Sequence, residues 1–163
     1  MRAILTPDGM LTAGPLRLTA AFGRGGIRAD KREGDGATPA GVMALRRVLF
    51  RADRAPLPRA AVPIEPIAPD DGWCDDPGDS DYNRRVRLPH PARHEALWRT
   101  DGLYDLIGVL GWNDAPPVRG RGSAIFLHVA SADMAPTAGC IALAEPALRR
   151  LLAEGLTEVE VIG

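Results

Sequence analysis

The stretch from Ser123 to Leu143, SAIFLHVASADMAPTAGCIAL, has two apolar runs on either side of a polar loop. The first run, Ser123 to Ala130, is rich in large apolar side chains and includes His128. The second run, Ile141 to Leu143, directly follows Cys140. Short apolar runs bounded by Gly and Pro are typical of buried strands. The stretch therefore predicts a buried strand over residues 123–130 and places one histidine and one cysteine beside core-forming sequence.

The rest of the chain predicts a mostly β (α+β) fold with mixed sheets and about two short helices. Apolar runs between turn-forming residues predict strands over residues 2–6, 16–22, 42–50, 104–110 and 157–162. Helices are expected over residues 94–99 and 146–152. Residues 52–92 are rich in proline and show little periodicity, which predicts a long Pro-rich loop. Loops of that length are usually functional, so this one is expected to form a wall or lid of a site.

Length, composition and charge limit the classes of protein to which the chain can belong. Its 163 residues fit one domain, and 45% hydrophobic and 25% charged residues are ordinary for a globular protein. A net charge of −1 gives no basic field for a nucleic acid, and no apolar run is long enough to span a membrane. Two cysteines are too few for a disulfide framework, although a single disulfide stays open. Their surroundings do not resemble a metal ligand set, so neither a metal nor a cofactor is expected.

Cys140 and His128 are the residues best suited to covalent chemistry. A thiol nucleophile needs a base to take its proton and N–H donors to stabilise an oxyanion. Eleven residues separate His128 from Cys140, enough for the loop to fold the histidine back against the cysteine. Gly139 lets the backbone turn and leaves its N–H, with that of Cys140, open to a substrate carbonyl. The competing interpretation is structural, because a free cysteine is usually a small buried hydrophobe and a histidine at a strand end is usually solvated.

Residues 122–128, GSAIFLH, and 136–143, PTAGCIAL, form a strand that ends in His, a loop, and then Thr, one residue, Gly and Cys. Residues 31–41, KREGDGATPAG, contain a Thr-Pro-x-Gly turn preceded by Lys and Gly-Asp. These segments resemble the active-site sequences of the L,D-transpeptidase (YkuD-type) family and occur in the family's order. The resemblance extends over most of the chain from about residue 20 to 145.

The resemblance implies a single L,D-transpeptidase-like catalytic domain over residues 1–163, built as a β-sandwich or mixed sheets. It implies that Cys140 attacks a peptidoglycan stem peptide after the L-centre of a diamino acid, with His128 as the general base. The resulting thioester would pass to an amine, and a carbapenem, a β-lactam, would acylate the same sulfur. The family implies a location in the cell envelope or periplasm. No secretory signal is visible at the N-terminus, so a cytoplasmic location stays open.

Three positions depart from the family's usual pattern. Ala138 stands where most members have His, Val129 follows the base histidine in place of Gly or Ser, and Ala142 replaces Asn or Arg. These changes match a branch whose members include hydrolases that cleave protein–peptidoglycan links. A hydrolytic L,D-carboxypeptidase or amidase is therefore the first alternative, since water and amines use the same Cys and His. An inactive envelope-binding domain is the second, and the presence of both Cys140 and His128 argues against it.

Further polar residues are candidates for substrate binding: Thr137, Asn113, Arg28, Lys31 and Arg121. Arginine is included because it pairs with carboxylates in a bidentate manner. Turn formation would equally explain Thr137 and Asn113, and solvated surface charge would explain the basic residues. Because Val129 follows His128, a backbone carbonyl is expected to orient the imidazole. His128 is in turn expected to lower the pKa of the Cys140 thiol.

Overall fold

The computed structural model describes residues 1–163, which form fourteen strands and one helix. The strands are β1 (Arg2–Leu5), β2 (Met10–Ala13), β3 (Leu16–Ala21), β4 (Ile27–Arg28), β5 (Thr38–Pro39), β6 (Gly41–Phe50), β7 (Ile64–Pro66), β8 (Asp71–Cys74), β9 (Arg84–Arg87), β10 (His94–Ala96), β11 (Leu106–Leu110), β12 (Phe126–Val129), β13 (Ile141–Leu143) and β14 (Glu158–Val161). The helix is α1 (Glu145–Ala153). The fold is therefore mostly β, as the spacing of apolar runs and turn residues predicts.

Nine strands form one large sheet that closes on itself like a barrel. Their order is β11-β12-β13-β3-β2-β1-β14-β6-β7, and a further pairing of β6 with β11 completes the closure. The ten-residue strand β6 makes this possible because its first half pairs with β14 and its second half with β11. The main core contains 22 buried residues, and three of them, Leu148, Leu151 and Leu152, belong to α1. Each buried leucine of this kind contributes about 1.5–3 kcal/mol, so the helix is held by packing rather than by its own propensity.

A small three-stranded sheet, here called the cap sheet, covers part of the outer face of the large sheet. It consists of β10, β8 and β9 in that order. Trp73 of β8 packs edge-on against Phe126 of β12, with 5.1 Å between the ring centroids. The second core between these layers also contains Leu97 and Tyr104, and Cys140 packs at its edge. The cap sheet therefore brings residues distant in sequence next to the strands that carry Cys140 and His128.

The structure confirms strands at the predicted ranges 2–6, 16–22, 42–50, 104–110, 123–130 and 157–162. It also confirms a helix that includes residues 146–152. Three expectations are corrected. Residues 94–99 contain β10 instead of a helix, because residues 94–96 pair with β8, a long-range contact that local sequence does not reveal. Residues 52–92 are not one long loop, since they include β7, β8 and β9. The chain forms one helix, α1, rather than about two. No helix has the length and apolar character needed to cross a membrane.

Candidate active site

Cys140 and His128 lie on one face of two neighbouring strands. β12 and β13 run parallel, with Leu127 opposite Ile141 and His128 opposite Ala142. Parallel pairing requires a crossover of about a dozen residues, which the loop between the strands supplies. Because side chains alternate between the faces of a sheet, His128 and Cys140 both point away from the main core. The fold therefore brings the two residues singled out in the sequence to a common surface.

Two main-chain groups hold the Cys140 thiol. Sγ donates a hydrogen bond to the Ala124 carbonyl at 3.2 Å and accepts one from the Phe126 N–H at 3.4 Å. Burial, and after it the negative charge of Glu95, raises the pKa of Cys140 to about 12. The Phe126 N–H and the positive charge of Lys31 favour the thiolate but do not offset this effect. The resting thiol is therefore protonated, and the expectation that its pKa is lowered by His128 is wrong.

His128 is buried, and the main chain fixes its orientation. Nδ1 lies 2.8 Å from the Val129 carbonyl, so this nitrogen carries the proton and Nε2 is left to accept one. Burial is the largest cause of a lowered His128 pKa, so the imidazole is neutral at neutral pH. The Tyr104 ring packs edge-on against it, with 5.5 Å between the centroids. The Val129 carbonyl is thus the backbone group that orients the imidazole, as predicted.

Two clefts meet at the loop that precedes Cys140. The first, here called the thiol cleft, has a volume of about 140 Å³ and contains Cys140, Gly139 and five charged residues: Arg24, Lys31, Glu33, Asp75 and Glu95. The second, the imidazole cleft, has a volume of about 300 Å³ and is lined by His128, Tyr104 and Arg99 among others. Ala138 lines both clefts. No hydrogen bond joins Sγ to the imidazole, so proton transfer requires the thiol to rotate away from its Ala124 acceptor or a water to bridge the gap.

Thr137 and Gly139 shape the loop that presents Cys140. The Thr137 hydroxyl donates to the Cys140 carbonyl at 2.6 Å and accepts the Gly139 N–H at 3.1 Å. Gly139 has a φ of +141°, and a Cβ there would lie 2.9 Å from the Ala37 carbonyl oxygen, so glycine is required. The Gly139 N–H is already engaged, whereas the Cys140 N–H makes no hydrogen bond within the chain. Thr137 therefore positions the loop, and the Cys140 N–H is the open donor for an oxyanion.

Lys31 is the predicted basic residue that reaches the thiol cleft. Its side chain is 3% exposed, and Nζ pairs with Asp35 at 2.5 Å. A Cβ on Gly122 would lie 3.1 Å from this side chain, so the lysine packs closely against the main chain. Arg24, which the sequence does not single out, also lines the cleft and forms no ion pair. Lys31 is therefore part of the wall, and Arg24 is the guanidinium available to a carboxylate.

Three other predicted binding residues lie outside the thiol cleft. Arg28 is exposed and pairs with Asp30. Asn113 donates to two main-chain carbonyls of its own loop, each at 2.9 Å, and accepts an N–H from the same loop. Arg121 is exposed and points to no group of the cleft. Turn geometry accounts for Asn113 and solvent exposure or local pairing for the two arginines, so substrate contacts at these positions stay a prediction.

Several polar residues build the site without any local sequence signal. Glu95 of β10 lines the thiol cleft, and its Oε1 accepts a hydrogen bond from the Tyr104 hydroxyl at 2.5 Å. Asn83 Oδ1 accepts the Ala124 N–H at 3.0 Å and so fixes the carbonyl to which the thiol donates. Glu95 reaches the cleft through the pairing of β10 with β8, and Asn83 acts from outside the cleft through its contact with Ala124. Asp75, within residues 52–92, also lines the cleft, so that segment does contribute a wall, as predicted.

Cys74 is fully buried in the cap sheet and is not bridged to Cys140. Its Sγ, an Asp79 oxygen and His90 Nε2 lie within 4.8 Å of one another, a grouping that the sequence did not lead us to expect. His90 Nε2 pairs with Asp81 at 3.2 Å, and His90 Nδ1 accepts the Ala92 N–H. Both ring nitrogens therefore have protein partners, and this cysteine does not line the thiol cleft.

A family model described as the L,D-transpeptidase catalytic domain (YkuD) matches residues 6–161. The match includes the cap sheet, both clefts and all strands of the large sheet except β1. Neither a curated protein nor a solved structure matches the chain.

Proposed function

The chain belongs to the L,D-transpeptidase catalytic domain (YkuD) family, which acts on peptidoglycan peptides, and on this premise we propose that it is a cysteine-dependent acyltransferase. The proposed reaction is L,D-transpeptidation of peptidoglycan stem peptides through a thioester on Cys140. We extend the proposal to residues 1–163 as a single catalytic domain.

One observation carries the proposal: a thiol and a neutral imidazole share one face of adjacent strands at the junction of two clefts. Cys140 opens onto the thiol cleft, and His128 opens onto the imidazole cleft. The Nδ1–H of His128 is bound to the Val129 carbonyl, which leaves Nε2 ready to accept a proton. A protonated thiol beside an unprotonated base is the resting state that general base catalysis requires.

In the first half-reaction, Cys140 Sγ attacks the scissile carbonyl while its proton passes to His128 Nε2. The Cys140 N–H faces the developing oxyanion, and loss of one such donor typically costs about 10²–10³ in rate. When the C–N bond breaks, the imidazolium returns the proton to the departing amine of the D-residue. The products of this step are a thioester on Cys140, a free amino acid and a neutral His128.

In the second half-reaction, an acceptor attacks the thioester carbonyl and the C–S bond breaks. An amine acceptor gives a new amide, and water gives a carboxylic acid. Arg24 is placed to pair with a carboxylate of the donor peptide, since it lines the thiol cleft without an internal partner. Lys31 forms part of the wall of the cleft, and Thr137 holds the loop that presents Cys140.

The test is to incubate the protein with a mixture of disaccharide tetrapeptides and to analyse the products by mass spectrometry. The proposal predicts cross-linked dimers together with release of the terminal D-amino acid, and loss of both in Cys140→Ala. Cys74→Ala is the matched control and retains activity.

Release of the D-amino acid without dimers would instead identify a hydrolytic carboxypeptidase on the same scaffold. Binding to peptidoglycan without any covalent change, in the wild type as in Cys140→Ala, would contradict an enzymatic role and favour an envelope-binding domain.

A further inference from the structure

Glu95 is a charged group of the thiol cleft that the first half-reaction does not use. Its Oε1 accepts the hydrogen bond from the Tyr104 hydroxyl, while Oε2 has no hydrogen-bond or ion-pair partner. The only buried side-chain oxygen or nitrogen that lacks a partner in the chain is Oδ1 of Asp105. Oε2 of Glu95 is therefore open to the solvent in the cleft, beside Cys140.

The groups around Glu95 make it a stronger base than a free carboxylate. Burial is the largest cause of its raised pKa, and the negative charges of Asp75 and Glu33 act in the same direction. The Tyr104 hydrogen bond and the Arg99 guanidinium act in the opposite direction. A carboxylate in such a position binds and deprotonates cations more readily than one in water.

The same charge opposes the formation of a thiolate at Cys140. After desolvation, Glu95 is the largest cause of the raised thiol pKa. Glu95 therefore hinders ionisation of the free sulfur, but a thioester carries no charge and removes this repulsion. The carboxylate is thus best placed to act after acylation, when a cationic amine approaches.

We propose that Glu95 binds the ammonium group of the amine acceptor and takes its first proton. This inference rests on the proposed function, because it needs the thioester on Cys140. Transfer of one proton from the ammonium to Glu95 Oε2 leaves a neutral amine, whose nitrogen attacks the thioester carbonyl. A C–N bond forms and the C–S bond breaks. His128 carries the second nitrogen proton to the departing sulfur, and Glu95 then releases its proton to solvent.

Water carries no positive charge for Glu95 to bind, and it has no ammonium proton to lose before it attacks the thioester. Glu95 therefore affects aminolysis of the thioester more than hydrolysis, and the ratio of the two products reports its role. A residue that only supports the fold would change both products together.

The experiment compares wild type, Glu95→Gln and Glu154→Gln in two assays. Acylation of Cys140 by meropenem is followed by intact-mass measurement, and the ratio of cross-linked to hydrolysed product is measured with disaccharide tetrapeptides. Glu154→Gln is the same chemical change on an exposed residue next to α1. In Glu95→Gln we expect acylation at least as fast as in wild type and aminolysis reduced by about 10²-fold, the lower end of general base effects. Glu154→Gln should match the wild type in both assays.

The pH profile supplies a second readout. The rate of aminolysis by the wild type should fall as the pH drops through the raised pKa of Glu95. The rate of aminolysis by Glu95→Gln should not show this fall. An unchanged product ratio in Glu95→Gln, with acylation intact, would overturn the proposal for Glu95 and leave the proposed function standing. Absence of acylation in the wild type would overturn both.

Discussion

The two cysteines of this chain are each associated with a histidine, and we propose a catalytic role for only one pair. Cys74 Sγ and a ring nitrogen of His90 lie within 4.8 Å of each other. Cys140 and His128 are not hydrogen-bonded to each other, although they share a sheet face. Burial raises the pKa of both thiols, so thiol acidity does not separate the pairs. The two pairs therefore differ in the state of the histidine and in access to a cleft, and not in thiol acidity.

The two histidines differ in the direction of their pKa shift and in their hydrogen-bond partners. The Asp81 carboxylate is the largest cause of a raised His90 pKa, and both ring nitrogens of His90 already have protein partners. Burial lowers the pKa of His128, which keeps the ring neutral with Nε2 free. Cys74 is also closed off from solvent, whereas Cys140 faces the thiol cleft. The proposed reactivity of Cys140 therefore rests on its base and on its access to the cleft.

The sharpest way to test this difference is to remove each histidine in turn. His128→Ala should lower the rate of Cys140 acylation by about 10²–10⁴, the usual contribution of a general base. His90→Ala removes the histidine beside the other cysteine and should leave that rate within about twofold of the wild type. Stopped-flow acylation by a chromogenic β-lactam measures both rates. Equal losses in the two variants would contradict the distinction between the pairs.

The loop that presents Cys140 has no counterpart at Cys74 and should be sensitive to one added methyl group. Gly139→Ala combines an unfavourable φ with a contact of 2.9 Å to the Ala37 carbonyl oxygen. We expect a loss of about 1–3 kcal/mol in the free energy of unfolding, measured by urea denaturation. Gly34→Ala shares a positive φ but meets no neighbouring atom, so it should lose less. A smaller loss in Gly139→Ala than in Gly34→Ala would contradict the close packing of this loop.

Removal of the other sulfur should affect stability and not chemistry. Cys74→Ala deletes one fully buried sulfur and should lower the free energy of unfolding by about 1 kcal/mol. The acylation rate at Cys140 should stay within about twofold of the wild type. Thermal unfolding and the acylation assay, run on the same preparation, measure the two effects. A loss of acylation without a loss of stability would assign Cys74 a part in the reaction.

The pH dependence of acylation is the smallest of the expected effects. It distinguishes a histidine with a lowered pKa from one with a raised pKa. Because the His128 pKa is lowered, less of the base is protonated at pH 6 than for an ordinary imidazole, and the acylation rate should fall by less than about fourfold from pH 8 to pH 6. An imidazole with an ordinary pKa would lose about fourfold over this interval, and one with a raised pKa would lose more. A fall of fourfold or more toward pH 6 would show that the base resembles His90 in its protonation.

The sequence was sufficient to predict the strands around Cys140 and His128, because apolar periodicity and the loop between them are local signals. It was also sufficient to expect a backbone carbonyl as the group that orients His128. It was insufficient for β10 and Glu95, which reach the cleft through pairing between segments distant in the chain, and for Asn83, whose contact with Ala124 is equally long-range. The raised pKa of the Cys140 thiol could not be predicted from the sequence either, because burial in the folded chain is its largest cause.

Acylation by a carbapenem tests the central assignment most directly, since a strained ring carbonyl reports which sulfur is the nucleophile. Meropenem is incubated with wild type, Cys140→Ala and Cys74→Ala, and the products are examined by intact-mass measurement and peptide mapping. We expect one adduct on Cys140 in the wild type, the same adduct in Cys74→Ala and none in Cys140→Ala. An adduct on Cys74, or one that persists in Cys140→Ala, would contradict the assignment of Cys140 as the nucleophile.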